Sequence, residues 1–461
     1  MQRQQRARDL GKALTWRGDP GYEHTRVSML WNEFKPRRYP DVIVRAASVE
    51  DVQDAIELAR SRNLRVTARA SGHNWCGSPL RDGGMLIDLS GLRRHTADRL
   101  SATVQPGVSG RELARMLAGN DRAFPVPHCG TAALSGFVLG GGLGWNSRAW
   151  GPACRGLQEI EAVTAAGEVV RCSEDENPDL FWAARGAGPG FFAVVTSFRL
   201  GLHHLPQAIM TTRYAFPLAD VEEVAHWADE VAAAVPANVE LSLALTTAGH
   251  AGTTGSPPPK VVVVTATVFA CAWDDASRSL EPLRDCPLAG RALMRQVDQA
   301  TPFEVLFTCS DALWPGHRRA AADSLWLNED FGTLLPGLAR YVAGAPSDES
   351  LVLTVLSPGG SPGGPTKALL PDMAFTPLGR IYLGCYAIWP DQTLDEVNTR
   401  WLREMMEAVE PLGAGHYVAE TDLLADPFRA RRSFRPAVWE RLQALRAEHD
   451  PDGVFQPYPY S

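Results

Sequence analysis

Apolar and polar residues in the segment 40–200 follow two periods. Short apolar or β-branched runs predict strands, and an apolar residue every three or four positions predicts a helix. Ser48 followed three residues later by Asp51 is a capping-box pattern, which predicts the first turn of a helix. Strands are predicted at Val42–Val44, Val66–Ala68, Leu86–Leu89 and Phe191–Leu200, a hairpin at Ile160–Val170 and a second helix at Glu112–Leu117. This mixture is typical of an α+β fold.

From about Ile209 the pattern changes to longer apolar runs separated by amphipathic helices. Gly/Pro-rich stretches at residues 252–259 and 358–365 predict loops. The apolar runs predict strands of one broad sheet at Leu241–Leu245, Val261–Val268, Leu351–Leu356 and Ile381–Tyr386, and helices are predicted near Val221–Val235, Leu394–Val409 and Ala437–Ala447.

Length and charge exclude several functions. The 461 residues are too many for one core and predict two or three domains. The 45 Lys and Arg residues against 53 Asp and Glu give a net charge of -8 with no basic block, so nucleic-acid binding is not expected. No stretch approaches the ~18 apolar residues of a membrane span, and the basic N-terminus lacks the apolar core of a secretory signal. We therefore expect a cytoplasmic enzyme.

Three sequence features do not predict the kind of site with which they are usually associated. The eight cysteines are scattered without a Cys-x-x-Cys pair, which argues against a disulfide framework and against a metal site. His203 and His204 have no cluster of carboxylates or thiols near them in the sequence, so no metal is predicted there. The stretch Gly359–Gly363 matches Gly-x-Ser-x-Gly but lies in a Pro/Gly-rich loop instead of a strand–turn–helix.

Two segments combine nucleophilic side chains with glycines. One reads Ala-Arg-Ala-Ser-Gly-His-Asn from Ala68 to Asn74, and in the other Cys129 lies eleven residues before Gly140–Gly144. Glycines allow positive φ and close approach of backbone N–H groups to phosphates or carbonyls. On the residues alone, His73 can equally be an ordinary loop histidine and Cys129 an inert buried thiol. Together they indicate a large planar ligand, with a covalently held flavin as the leading hypothesis.

The order of these motifs resembles that of the berberine-bridge-enzyme-like family, FAD-linked oxidases of the vanillyl-alcohol-oxidase superfamily with a PCMH-type FAD-binding domain. Further matches are Trp31-Asn32, Ser48–Val52, Ile87–Leu89, Asp179–Ala183, Arg185–Phe192 and Asp450–Phe455. The resemblance implies a two-part FAD-binding domain from residues 1–205 and 421–461. It also implies a substrate domain over residues 206–420, an antiparallel sheet backed by helices with its open face on the flavin.

The resemblance also implies how FAD is held. In this family the flavin 8α-methyl is bonded to the histidine matching His73, and in many members C6 is bonded to the cysteine matching Cys129. Cys76 is a neighbouring thiol that does not match, and Ala132 leaves room for oxygen above the flavin. The other implied cofactor-binding residues are Ala70, Ser71, Gly72, Asn74, Trp75, Thr131, Ala132, Ser135, Gly136, Gly140, Gly141, Gly142, Gly144, Gly188, Val195 and Tyr458.

The chain departs from the family at the catalytic base. The family motif Tyr-x-Asn-Tyr corresponds to Tyr417–Glu420, with Ala419 in place of the asparagine and Glu420 in place of the second tyrosine. A partly buried carboxylate can act as a base, and a surface carboxylate without a role is the alternative. Tyr417 and Tyr382 are further catalytic candidates. Tyr382 and Tyr386 fall on one face of a predicted strand, where pocket wall and core packing are both open.

The predicted reaction is oxidation of an alcohol, a sugar or a natural-product ring carbon. Hydride passes to flavin N5, Glu420 or a tyrosine takes the proton, and O2 reoxidises the flavin to give H2O2. The alternative is a redox-neutral, FAD-bound cyclase or isomerase, which loss of the Asn-Tyr pair favours. A non-catalytic ligand-binding protein is a third hypothesis. The Ala/Arg-rich composition predicts a bacterial protein of secondary metabolism.

Overall fold

The N-terminal half contains two main sheets in this computed structural model, which describes residues 13–249, 258–358, 371–426 and 428–459. The first sheet has strands β1 (Leu14–Trp16), β2 (Val42–Arg45), β3 (Val66–Arg69) and β4 (Met85–Asp88), in the spatial order β1-β2-β4-β3. Its β2, β4 and β3 run parallel, and β1 is antiparallel to β2.

The second sheet is antiparallel. The next strands along the chain are β5 (His95–Ala97), β6 (Ser101–Val104), β7 (Arg122–Ala123), β8 (Leu157–Val163), β9 (Val169–Cys172), β10 (Val194–Gly201) and β11 (His203–His204). Strands β7 and β11 pair with each other, and the other five form a sheet in the order β5-β6-β10-β8-β9.

Residues 208–415 form an eight-stranded antiparallel sheet. Its strands are β12 (Ala208–Pro217), β13 (Val239–Thr247), β14 (Lys260–Ala270), β15 (Met294–Ala300), β16 (Arg319–Leu327), β17 (Leu351–Leu356), β18 (Ile381–Trp389) and β19 (Gly413–Gly415), in the order β15-β12-β14-β13-β17-β18-β16-β19. Alternate residues of β13 and β18, such as Leu243 and Leu383, pack into one core with the helices. Tyr382 and Tyr386 lie on the opposite face, which is turned towards the N-terminal sheets.

The α-helices cover the N-terminal sheets and one face of the large sheet. They are α1 (Tyr22–Ser28), α2 (Val49–Ser61), α3 (Gly110–Ala118), α4 (Leu134–Leu139), α5 (Ser147–Trp150), α6 (Pro178–Ala184), α7 (Val221–Ala234), α8 (Trp273–Ser279), α9 (Glu281–Arg284), α10 (Phe303–Asp311), α11 (Phe331–Ala343), α12 (Asp395–Val409), α13 (Arg429–Arg432) and α14 (Pro436–His449). Ser48 and Asp51 form the predicted capping box at the start of α2. Within the described residues, no helix is both long and apolar enough to cross a membrane.

The last described segment returns to the first sheet. The N–H of Val66 donates to the carbonyl of Val454, and the N–H of Gln456 donates to the carbonyl of Val66. Phe455 thereby forms a parallel bridge with Val66 along the open edge of β3. Tyr458 is buried, and its hydroxyl donates to the carbonyl of Ala187 at 2.5 Å. The segment after α14 is therefore packed on the N-terminal half of the chain.

Most predicted elements are confirmed, including the α+β class, the hairpin at residues 160–170 and the helices α3, α7, α12 and α14. The four predicted strands of the second half lie in one antiparallel sheet. Strands β12, β15 and β16 and helix α11 are not among the predicted elements. Strand β15 is a largely exposed polar edge, and β16 begins with Arg319 followed by three alanines, so neither shows the apolar alternation of a strand. The domain boundaries at 205 and 420 stay predictions.

Candidate active site

His73 and Cys129 lie side by side. The Sγ of Cys129 is 3.9 Å from Nε2 of His73 and 3.3 Å from the hydroxyl of Thr131. Nε2 of His73 also lies 2.9 Å from the Thr131 hydroxyl, while the indole N–H of Trp31 donates to Nδ1. Burial lowers the pKa of His73 to about 3. The imidazole is therefore neutral and nucleophilic at physiological pH, next to a thiol.

The segment Ser71–Cys76 presents a row of free backbone donors. None of its six N–H groups donates to a protein acceptor within the described chain. Gly72 has a φ of 71°, which helps successive N–H groups point to one side. The hydroxyl of Ser71 accepts a hydrogen bond from the N–H of Ala133 at 2.9 Å. The two segments that carry His73 and Cys129 are thus tied together.

The glycine run at residues 140–144 is packed against protein. A Cβ at Gly140 would lie 2.7 Å from the Cβ of Ala419, and one at Gly141 would lie 2.6 Å from the Phe375 ring. The N–H groups of Gly140 and Gly141 donate within their own turn, and that of Gly142 donates to Tyr417. These N–H groups are therefore engaged. The expected free donors lie in the segment Ser71–Cys76 instead, because the glycines are needed for close packing.

Glu420 receives two hydrogen bonds from tyrosines. The hydroxyls of Tyr382 and Tyr386 donate to its Oε2 at 2.5 and 2.9 Å, and they lie 3.0 Å from each other. Burial and the charge of Glu420 raise the pKa of both tyrosines well above the ordinary value. Both phenols are therefore neutral donors. Of these three side chains, Glu420 is the one suited to accept a proton.

Gly384 lies between the two tyrosines on β18. A Cβ at this position would lie 2.6 Å from Cε2 of the Tyr386 ring, far inside van der Waals contact. The absence of a side chain lets the ring lie along the sheet, so its hydroxyl reaches Tyr382 and Glu420. The sequence analysis predicted the shared face but not this requirement.

Tyr417 has a different role from Tyr382. Its hydroxyl accepts a hydrogen bond from the N–H of Gly142 at 3.1 Å, and its ring is 2% exposed. Burial raises the pKa of Tyr417 above the ordinary value, with a further contribution from Glu420. The structure therefore joins Tyr382, but not the Tyr417 hydroxyl, to the Glu420 carboxylate.

A buried carboxylate anchors the chain just after Glu420. Asp323 accepts hydrogen bonds from the Thr421 hydroxyl at 2.7 Å and from the N–H of Asp422 at 3.2 Å. Arg429 donates to its other oxygen at 2.5 Å. Because Asp323 is 1% exposed, these partners hold its charge in a site that water does not reach. The position of Glu420 thus depends on β16.

His128 and Glu240 form a pair that the sequence analysis missed. Nε2 of His128 lies 2.8 Å from Oε1 of Glu240, and the imidazole packs on Trp145. Burial lowers the pKa of His128, but the charge and hydrogen bond of Glu240, together with Glu420, more than offset this and raise it. The available signals were a histidine directly before Cys129 and a glutamate at a polar position of an alternating strand.

Aromatic side chains form a wall beside Tyr386. The Trp314 ring lies 4.6 Å from Tyr386, and the Trp75 ring lies 5.2 Å from Tyr386 and 5.4 Å from Trp314. Trp31 contacts both Trp75 and His73, at 5.2 and 5.0 Å. These half-buried rings connect the attachment residues to the tyrosine pair.

Several other predicted residues have defined positions. Gly188 packs against Val418, and Val195 is buried in β10. The Tyr458 ring packs over Gly190. A Cβ added at Gly136 would meet no atom within 4 Å, so this position faces open space. The remaining cofactor candidates, Ala70, Asn74, Trp75, Ala132, Ser135 and Gly144, lie in the segments described above. The stretch Gly359–Gly363 lies outside the described residues.

Cys76, and the neighbouring pair His203 and His204, are in surroundings that suit structural roles. Burial raises the pKa of Cys76 to about 12, which suits an inert thiol. His203 stacks on Trp150 at 4.7 Å, and His204 lies 3.0 Å from Arg122. Nowhere in the described ranges do three or more His, Cys, Asp or Glu side chains form a group that could hold a metal ion.

Known proteins are similar to this chain in sequence and in fold. An FAD binding domain family matches residues 40–173. The fold matches BBE-like 1 of Physcomitrella patens with a TM-score of 0.83 and 20% identity, over 99% of each chain. The FAD-linked oxidoreductase ptmO of Penicillium ochrochloron is 31% identical over 95% of this chain and 94% of its own. The chain belongs to the FAD-linked oxidoreductases, and its fold is that of the berberine-bridge-enzyme-like proteins. This oxidoreductase is also 25% identical to (R)-6-hydroxynicotine oxidase of Paenarthrobacter nicotinovorans, over 95% and 94% of the two chains.

FAD is the cofactor of this family, and the site residues fit it. The six free N–H groups of Ser71–Cys76 suit an anionic pyrophosphate or flavin carbonyls. The open space at Gly136 lies on the neighbouring segment. His73 and Cys129 are two nucleophiles within 3.9 Å, close enough to meet one edge of a planar ring.

Proposed function

We propose that this FAD-linked oxidoreductase is an oxidase with covalently bound flavin, attached through His73 and Cys129. Its substrate is a small molecule oxidised at an alcohol, a sugar or a natural-product ring carbon. The name of the related (R)-6-hydroxynicotine oxidase supports an oxidase acting on a small molecule. In this proposal FAD lies between the domain of residues 1–205 and 421–461 and the open sheet face of residues 206–420.

The observation that carries the proposal is the carboxylate of Glu420, which is placed to accept a proton. When bound, FAD supplies the acceptor for a hydride leaving the substrate carbon. Where that carbon bears a hydroxyl, as in an alcohol or a sugar, the hydride leaves as the hydroxyl gives up its proton, so a base has to contact this hydroxyl. Glu420 is a carboxylate held by two neutral phenols, Tyr382 and Tyr386. We infer that Glu420 takes the proton and that the tyrosines orient it.

The aromatic wall supports a substrate with an apolar ring. Trp31, Trp75 and Trp314 offer ring faces and edges for stacking, worth about 0.5–1.5 kcal/mol per aromatic pair beyond area burial. The same rings would exclude water around the Glu420 carboxylate once a substrate is bound. A dry site strengthens the hydrogen bonds that hold the base.

Acid denaturation tests the attachment. We expect flavin colour to stay with the precipitated protein, and peptide mapping to find flavin on His73 and Cys129. The variants His73→Ala and Cys129→Ser should each lose one link and keep the other. Colour released into the supernatant by the wild-type protein would contradict covalent attachment.

Product analysis separates oxidation from redox-neutral chemistry. Turnover by an oxidase yields H2O2 and a product two hydrogens lighter than the substrate. A cyclase or isomerase yields a product of unchanged mass without H2O2. The replacement of the family Asn-Tyr pair by Ala419 and Glu420 is the feature that favours this second function.

A further inference from the structure

Three side chains surround the Cys129 thiol. Besides Thr131 and His73, the carboxylate of Asp311 lies 4.0 Å from Sγ through its Oδ1. Asp311 is the last residue of α10, an element of the 206–420 segment, whereas Cys129 belongs to the N-terminal half. The other oxygen of Asp311 accepts a hydrogen bond from Arg111 at 2.6 Å.

The Asp311 carboxylate is held in a fixed position. The backbone N–H of Arg111 donates to the carbonyl of Gly130 at 3.0 Å, and its guanidinium lies 5.2 Å from the centre of the Phe307 ring. Both contacts orient the Arg111 side chain towards Asp311. The Cys129 loop and the end of α10 are therefore joined through one ion pair.

A thiol becomes nucleophilic only when it loses its proton. Of the three side chains in contact with Sγ, the Thr131 hydroxyl is not a base. The Trp31 indole N–H donates to Nδ1 of His73, so the proton of the neutral imidazole is on Nε2, the nitrogen that faces Sγ, and this nitrogen cannot accept another proton. Asp311 is the remaining contact, and its Oδ1 lies 4.0 Å from Sγ, as the acceptor of the thiol hydrogen.

We propose that Asp311 accepts the proton of the Cys129 thiol as this cysteine bonds to the flavin, an inference that rests on the proposed covalent attachment. The S–H bond breaks and the proton goes to Oδ1 of Asp311. The sulfur electron pair forms the bond to ring carbon C6, and C6 loses its hydrogen as a proton. The two electrons left on the ring reduce dioxygen, which takes up the two protons as H2O2.

Surface access allows the proton to leave. A groove of about 750 Å³ is lined by Arg111, Gly130 and Thr131, next to the thiol. The Asp311 side chain is 37% exposed, so it can pass its proton to water after the bond has formed. The carboxylate form of Asp311 is thereby restored without the help of another protein group.

The neighbouring ion pair provides a matched control. Arg115 and Glu304 also join α3 to α10, at 2.6 Å, but neither contacts Cys129. The experiment measures, by mass spectrometry of digested holoenzyme, the fraction of Cys129 peptide that carries flavin. We expect Asp311→Asn to lower this fraction at least tenfold at pH 7 while the His73 link stays complete. Glu304→Gln should match the wild type, and Asp311→Glu should retain the attachment.

Incubation at pH 9 distinguishes proton transfer from a structural role. At this pH hydroxide from the solvent can replace the missing carboxylate as the proton acceptor, so we expect Asp311→Asn to gain the Cys129 link over time. A variant that stays unlinked at pH 9, or one linked to the wild-type extent at pH 7, overturns the role of Asp311. Absence of flavin from Cys129 in the wild type overturns the second link itself, a result that the Asp311 variants do not produce.

Discussion

Replacing Glu420 by glutamine is the most direct perturbation of the site. Glutamine has nearly the same shape, and its amide oxygen can still accept from Tyr382 and Tyr386. It cannot take a proton. The change therefore removes the base while keeping the two hydrogen bonds that order the pocket.

The expected loss follows from the role of the base. General-base catalysis contributes about 10²–10⁴ in rate, which corresponds to about 2.7–5.4 kcal/mol of activation free energy. Tyr382→Phe removes one hydrogen bond to a charged group, worth about 1.5–3 kcal/mol. Because Tyr386 still donates to the same oxygen, we expect Tyr382→Phe to cost about tenfold. The substitution that causes the larger loss of rate, Glu420→Gln or Tyr382→Phe, identifies the base.

The assay is anaerobic mixing of enzyme with a substrate found by H2O2 release, followed by loss of the oxidised flavin absorbance. We expect Glu420→Gln to slow this step by at least a hundredfold with unchanged flavin content and melting temperature. Glu396→Gln, at a surface glutamate whose side chain is 84% exposed, is the control and should match the wild type. A Glu420→Gln rate within threefold of wild type would refute the reasoning. A larger loss in Tyr382→Phe would make the tyrosine the base.

Three further predictions concern the surroundings of the site. Gly384→Ala should overpack the pocket, lower the free energy of unfolding by about 1–3 kcal/mol and slow flavin reduction. The same substitution should have little effect in a Tyr386→Ala background, a difference that a double-mutant cycle measures. Asp323→Asn should lower the free energy of unfolding by about 3 kcal/mol in a denaturant titration, because buried arginine charge loses its partner. The raised pKa of His128 stabilises the folded state below about pH 6.5, and this contribution disappears as the pH rises through the folded-state pKa. The free energy of unfolding of the wild type should therefore be higher than that of Glu240→Gln by about 0.5–1 kcal/mol at pH 6 and by less at pH 8.5. A difference between the two proteins that does not change with pH would contradict this.

Local patterns were enough to predict much of the site. His73 and Cys129 could be singled out because their motifs resemble those of a known family, and Tyr382 and Tyr386 because residues four apart on a strand share a face. Asp311 and Glu240 could not be predicted, since each reaches the site from an element far along the chain. Their sequence surroundings resemble those of any surface acid, and the contact exists only after the large sheet packs on the N-terminal half.

The pairing of Val66 with residues 454–456 bears on how the protein is made. Strand β3 leaves the ribosome early, but its open edge is covered only after residues 454–456 have been synthesised. The donors of Ser71–Cys76 follow β3 directly and depend on it for their position. Until then the nascent chain carries an unpaired strand edge, a feature prone to aggregation. FAD capture is therefore expected after translation, and a chain that stops before Val454 should reach the cell's proteases without its cofactor.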